Sequence, residues 1–343
     1  MSGFSSESFL PPHLIHRITD ARVDRPEIIR EAARKRRRRE TLTEDGHLNI
    51  LAADHPARRV TKVGDDPMTM ANRHDFLARV TRVVSGDAVD GLMATMDVLE
   101  DLLILDWLIR EEGHESFLDG KLLIPSLNRG GLSGSVWELD DPMTGPSPEA
   151  CVSLGMDGGK ILLRVSIHDR DALKTTVATA DILRRMSAVN LPAFLEPLAV
   201  VKGKTGFQVI KEANAMAQLV GVATGLGDTT AGMWLKLPYC ERYETVARST
   251  TLPILLLGGQ AVGDATPLLR QVASGLDAGP NVRGTLVGRN VLYPGDADPL
   301  AVARAIHDLV HHDATIDEAL DTIQSRQGER MDRITACFAG NDS

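Results

Sequence analysis

The feature that most constrains this chain is an alternation that begins at residue 48. Short, nearly continuous apolar runs alternate with segments of helical periodicity, and the pair repeats eight times before residue 313. The apolar runs lie at 48–53, 89–95, 121–127, 159–165, 193–200, 233–237, 253–258 and 282–288. A strand that is apolar at nearly every position must be covered on both faces, as parallel strands in α/β proteins are. Helical segments follow at 68–85, 98–112, 148–154, 169–189, 208–221, 241–248, 267–278 and 299–311. Eight strand–helix units in roughly 265 residues predict an α/β fold, a (β/α)8 TIM barrel over residues 48–313. A doubly wound open sheet is the competing architecture. It lacks support, because the first strand runs into Asp54-His55-Pro56 and not into a Gly-x-Gly-x-x-Gly turn. Residues 1–47 read as an N-terminal helical extension with a helix over 24–40. Residues 314–343 read as a C-terminal helix, over 315–338, and a tail.

Aromatic residues make up only 4% of the chain, so its core has to be built from Val, Leu, Ile, Ala and Met. A net charge of −9 disfavours general nucleic-acid binding while leaving room for a local pocket that takes an anion. The run Arg34-Lys35-Arg36-Arg37-Arg38-Arg39 stands against that balance. Acidic residues flank it, so a solvated helix face or a subunit contact is favoured over a polyanion site. The three cysteines, Cys151, Cys240 and Cys337, are far apart and show no zinc spacing, which fits a reducing compartment. With no secretory apolar segment and no run of membrane-spanning length, a cytoplasmic protein without a membrane partner is expected.

The carboxyl ends of barrel strands are where catalytic groups sit. There the sequence concentrates charge. The first strand leads to Asp54, the fourth carries Lys160, the fifth Glu196 and the sixth Lys236. Lys236 lies in the apolar run Met233-Trp234-Leu235-Lys236-Leu237-Pro238. Burial disfavours an ammonium and lowers its pKa, which is how a lysine becomes a nucleophile toward a carbonyl carbon. Each residue alone reads equally well as half of a buried ion pair. Three on consecutive strands, with the carboxylate between two amines, fit proton transfer beside a reactive amine better. Gly258-Gly259 and Gly288-Arg289 end the seventh and eighth strands, where barrel loops often bind phosphate through backbone N–H groups. The ten histidines are scattered, so no metal site and no cofactor are expected.

The runs Asp157-Gly158-Gly159-Lys160-Ile161-Leu162-Leu163, Phe194-Leu195-Glu196-Pro197-Leu198, Trp234-Leu235-Lys236-Leu237 and Leu286-Val287-Gly288-Arg289 resemble strands of tagatose-bisphosphate aldolase. That enzyme belongs to the class I aldolases, a group that includes deoxyribose-phosphate aldolase. The resemblance implies that Lys236 forms a Schiff base, that Glu196 is the acid/base residue, and that Lys160 and Asp54 assist. The whole chain also resembles an aldolase-like barrel family of actinobacteria whose genes lie among those of myo-inositol catabolism. This implies a homo-oligomeric, metal-independent lyase cleaving a phosphorylated sugar, with 5-dehydro-2-deoxyphosphogluconate as the leading substrate. Its products would be dihydroxyacetone phosphate and malonate semialdehyde. Tagatose/fructose-bisphosphate and deoxyribose-phosphate chemistry are the alternatives, and a non-catalytic barrel acting through its Arg-rich N-terminus is a third. A keto-acid needs a ligand for its carboxylate. Arg164, which shares a strand face with Lys160, is one candidate. Arg58, Arg59 and Arg129, in neighbouring loops, are the others.

Overall fold

The computed structural model describes residues 4–339. The ends of the expected extension and tail, residues 1–3 and 340–343, lie outside the described residues. The chain opens with three helices, α1 (Ser6–Phe9), α2 (Pro12–Asp24) and α3 (Ile28–Lys35). It then alternates: β1 (Leu48–Ala53), α4 (Arg73–Val84), β2 (Gly91–Ala94), α5 (Met96–Glu111), β3 (Leu122–Pro125) and α6 (Pro148–Ser153). Next come β4 (Gly159–Val165), α7 (Asp171–Ala188), β5 (Ala193–Gly203), β6 (Gly206–Val209), α8 (Ala213–Thr224), β7 (Met233–Pro238) and α9 (Tyr243–Ala247). The last part holds β8 (Ile254–Leu257), α10 (Thr266–Leu276), β9 (Val282–Val287), α11 (Arg289–Leu292), α12 (Pro299–His311) and α13 (Ile316–Ser325).

Eight of the strands form one parallel, curled sheet in the order β3-β2-β1-β9-β8-β7-β5-β4. Its two edge strands face each other. Ser126 and Lys160 form a single parallel bridge there, and Leu127 donates to the Lys160 carbonyl at 2.8 Å. Further along, a side chain replaces the ladder. The Asn128 amide accepts from Leu162 N–H at 2.8 Å and donates to the Leu162 carbonyl at 2.7 Å. The arrangement is consistent with a TIM-like barrel.

Side chains of alternate strand residues divide into two layers. One set packs outward with the helices into the main core, including Leu51, Leu92, Leu123, Leu195, Leu235 and Leu256. The other points inward, where Leu48, Ile50, Met93, Ile124, Phe194, Trp234, Leu255 and Leu286 form a separate apolar plug. Phe194 and Trp234 stack in it with ring centroids 6.4 Å apart. That plug is the floor on which the charged residues stand.

Three elements differ from expectation. The helix expected over 208–221 begins only at Ala213, because β5 runs on to Gly203 and turns through Lys204-Thr205 into the antiparallel β6. Gly206 supplies the φ of +124° that this turn requires. The helix expected over 24–40 is shorter at both ends, forming only α3 from Ile28 to Lys35 after Pro26, and a separate helix, α2, precedes it and ends at Asp24. The helix expected over 315–338 stops at Ser325. Gly328 and Arg330 then turn with positive φ before a short 3-10 turn at Thr335–Phe338. The basic run serves the chain itself. Arg36 is buried and bonds Asp157 at 2.8 Å, Arg38 bonds the other Asp157 oxygen at 2.9 Å, and Arg39 bonds Asp90 at 2.9 Å. Among the described residues no helix is long and apolar enough to cross a membrane.

Candidate active site

The register of the sheet sets the height of each ionisable group. Leu162 of β4 lies beside Glu196 of β5, and Leu195 lies beside Leu235 of β7. Glu196 and Lys236 are each one residue further along, and both point inward above the Phe194–Trp234 stack. Lys160 starts one layer lower, beside Phe194, and its longer side chain rises to the same level. Pro238 ends β7 two residues after the lysine, so the amine lies near the carboxyl mouth of the sheet.

The three groups meet on one atom. Glu196 Oε2 is 2.6 Å from Lys160 Nζ and 3.1 Å from Lys236 Nζ. Lys160 Nζ is also 3.6 Å from Asp54 Oδ2. That oxygen accepts from Ser126 Oγ at 2.5 Å and is paired with the Arg129 guanidinium. Asp54, Lys160, Glu196 and Lys236 are all buried, Lys160 almost completely, at 1% exposure. Three cations thus share two carboxylates, a formal excess of one positive charge in a low-dielectric setting. Release of one ammonium proton would balance the cluster.

The pKa directions agree with that balance. Burial lowers Lys236, and the Arg129 and Arg289 guanidiniums push the same way, against the attraction of Glu196. Lys160 falls well below the usual lysine range through burial and the nearby Arg129 charge. Burial alone would raise the Glu196 carboxyl, but Lys160 and Lys236 hold it well below the usual carboxylate range. The cluster therefore holds an ionised acid between amines poised to lose a proton. It can add an amine to a carbonyl and move the protons that this addition requires.

Of the four arginines read from sequence as candidate carboxylate ligands, three, Arg164, Arg58 and Arg129, are already engaged. Arg164 bonds Glu138 Oε1 at 2.7 Å and the carbonyls of Gly131 and Glu138, so its guanidinium is spent inside the protein. Arg58 bonds the Gly131 carbonyl at 3.2 Å and lies 3.9 Å from the same Glu138 oxygen. Arg129 holds Asp54, and burial pushes it down to about 10. Glu138 is the residue sequence reading missed. It is buried, and its other oxygen accepts from Gly134 N–H at 3.1 Å and Phe207 N–H at 3.2 Å. One carboxylate thus ties the loop after β3 to β4, to the loop after β1 and to β6. Nothing local in Ser135-Val136-Trp137-Glu138 marks it as buried.

The glycines expected to bind phosphate divide by role. A side chain on Gly258 would strike Val287, and one on Gly288 would strike the Ala52 carbonyl and His55, so both allow close packing. Gly259 has φ +87° and lies beside the Lys211 ammonium, 3.9 Å from where a side chain would begin. The Arg289 side chain makes no hydrogen bond or ion pair among the described residues, and its Nε is buried without a partner. His55, next to Gly288, is held neutral by burial and by the Arg289 and Lys236 charges. The described grouping best suited to a metal ion, His307, Asp308 and His312, lies at the far end of α12. The neighbouring His311 meets Asp45 and Asp90, which precede β1 and β2, so this end faces away from Lys236.

Eight parallel strands curled around two lysines on one glutamate place this chain in a class, the aldolase-like TIM-barrel proteins. Residues 46–308 match the family described as Cgl0159-like, and the chain belongs to it. It is similar to the crystal structure of Cgl0159 from Corynebacterium glutamicum, with 37% identity and a TM-score of 0.82 over 88% of this chain and 98% of that one. An archaeal fructose 1,6-bisphosphate aldolase shares the fold at 21% identity and a TM-score of 0.57, over 83% of this chain and 99% of that one. In sequence, the chain is 23% identical to 2-amino-3,7-dideoxy-D-threo-hept-6-ulosonate synthase 1 of Archaeoglobus fulgidus, over 84% of this chain and 95% of that protein.

Proposed function

We propose that the chain is a class I aldolase that cleaves a phosphorylated keto-sugar or keto-sugar acid through a Schiff base on Lys236. The observation that carries this reading is the shared oxygen: Glu196 Oε2 is within hydrogen-bond reach of both Lys236 and Lys160. The Lys236 amine adds to the substrate ketone, and Glu196 takes the proton released from nitrogen. The same proton, with Lys160 as a second donor, leaves on the carbinolamine hydroxyl as water. The iminium then accepts the electron pair of the adjacent C–C bond as that bond breaks. A base, Glu196 or Asp54, takes the substrate hydroxyl proton, and the aldehyde departs. Protonation of the enamine carbon and hydrolysis of the iminium return the amine. Covalent catalysis of this kind divides one difficult step into easier ones.

The names of the relatives support carbonyl chemistry of this type: a fructose-bisphosphate aldolase and a heptulosonate synthase. Within the class, the leading substrate is 5-dehydro-2-deoxyphosphogluconate, which yields dihydroxyacetone phosphate and malonate semialdehyde in inositol catabolism. Tagatose or fructose bisphosphate is the alternative. With Arg164 spent on Glu138, the choice rests on the sequence resemblance and no longer on that arginine. A closed (β/α)8 barrel, a homo-oligomer and a cytoplasmic setting complete the reading.

Borohydride added with dihydroxyacetone phosphate should fix one ketone-derived adduct to the protein, located by peptide mapping at Lys236. An adduct on Lys160, or none, would reject the assignment.

A further inference from the structure

At the carboxyl mouth of the sheet lies a cavity of about 740 Å³. Its walls come from the loop after β1, with Arg59 and Lys62, from Ser133 after β3, from Gln260 after β8, and from Arg289 after β9. The lining includes three cationic side chains and no carboxylate. In a chain with a net charge of −9 that is a local inversion of sign. It also contrasts with the neighbouring arginines, since Arg58, Arg129 and Arg164 each face a carboxylate of the chain itself. Arg59, Lys62 and Arg289 have no hydrogen-bonded or ion-paired side-chain partner among the described residues.

The backbone points the same way. Arg59 follows a 3-10 turn, Pro56–Arg58, and adopts φ +61°, a left-handed conformation uncommon outside glycine and asparagine. That conformation reverses the chain between two consecutive arginines. Arg58 turns inward to Glu138, and Arg59 lines the cavity. An unfavourable backbone conformation kept at a pocket wall is a reasonable pointer to function.

We infer that Arg59 and Lys62, from the loop after β1, join Arg289 across this cavity to bind the phosphate group of the substrate. The inference rests on the aldolase reading and deepens it, because it adds Lys62 to the phosphate site and assigns Arg59, a carboxylate candidate in the sequence, to the phosphate instead. The phosphate ester carries close to two negative charges and offers acceptor oxygens to both the planar guanidiniums and the ammonium. Arg289 follows β9 at the same carboxyl mouth towards which Lys236 lies on β7, so a phosphate held there enters from the side of the sheet that the ketone must use.

The test compares two ketones that differ only in the phosphate. The variant combines Arg59→Asn, since asparagine tolerates the left-handed backbone, with Lys62→Met, which keeps the length of the side chain. Loss of two charge-assisted contacts should raise the dihydroxyacetone phosphate concentration for half-maximal borohydride trapping at least about tenfold. Half-maximal trapping with dihydroxyacetone itself should be unchanged. An unchanged value for the phosphate ester, or equal increases for both ketones, would overturn the assignment. If neither ketone is trapped by the wild-type protein, the Schiff-base reading fails, and calorimetry with inorganic phosphate decides the site by itself. Phosphate binding by the wild type that is lost in the double variant sustains it. No phosphate binding by the wild type, or binding of malonate in its place, overturns it.

Discussion

Glu196 is the residue whose surroundings say most about its task. Its carboxyl is ionised by two ammonium neighbours and buried away from water, so any proton it carries during turnover is one it has just received. Glu196→Gln keeps the shape and removes that exchange. Turnover should fall by about 10²–10⁴-fold, the usual scale for lost general acid/base catalysis, while the ketone still binds. Steady-state rates on a folded Glu196→Gln protein check this, and wild-type turnover would remove the residue from the mechanism. At this scale the sequence was informative where strand periodicity fixed a side chain's direction. Lys160, Glu196 and Lys236 each interrupt an apolar run, and a charge inside a buried strand has few harmless explanations. It was uninformative for Arg164. Alternation placed Arg164 on the same face as Lys160, but its partner, Glu138, comes from a loop whose path no local pattern encodes.

Among the elements, the loop after β3 depends on Glu138 and Arg164 together. Removing one partner of a buried ion pair leaves the other charge uncompensated, typically at a cost of about 3–5 kcal/mol. Glu138→Ala should therefore lower the urea midpoint by a corresponding amount, and an unchanged midpoint would free Arg164 for a ligand role. At the opposite end of the sheet His311 joins α12 to the segments before β1 and β2. Its Nδ1 is 2.7 Å from Asp45 Oδ2, and its Nε2 is 3.1 Å from Asp90 Oδ2. Burial would lower its pKa, but hydrogen bonds to Asp90 and Asp45 prevail and raise it. Asp90, despite its own burial, is held down to about 2 by His311 and Asn49. A raised histidine contributes fully below its unfolded pKa, and the contribution disappears as pH rises through the folded value. The Tm difference between wild type and His311→Gln should thus be largest near or below about pH 6 and shrink by about pH 8. A difference constant across that range would show that the imidazolium charge is not involved.

For the whole molecule, the eightfold alternation was legible because a strand covered on both faces has to be apolar throughout. The helix periods then mark what covers it. The β5–β6 hairpin was not legible. Its residues 206–209 are only partly buried, so neither period dominates, and the glycines that make the turn resemble ordinary loop residues. The last helix was overextended for a related reason, since helical spacing continues past Gly328 although the backbone does not. The basic run was legible as a composition anomaly. Its role as a set of latches onto Asp157 and Asp90 depends on carboxylates far away in sequence.

The contact between β3 and β4 has a consequence of its own. Neighbouring strands elsewhere in the curled sheet are joined by a run of backbone ladder bonds, which open cooperatively or not at all. Here one bridge, the amide of Asn128 and the Asp157–Leu123 pair just before β4 do the joining. A side-chain amide can swing away by rotation about its own bonds while both strands keep their shape. Where the two edges of the curled sheet meet, Lys160 is one of the two residues of the bridge and so is part of the fastening. The edge-to-edge joint of the curled sheet thus includes a member of the reactive cluster.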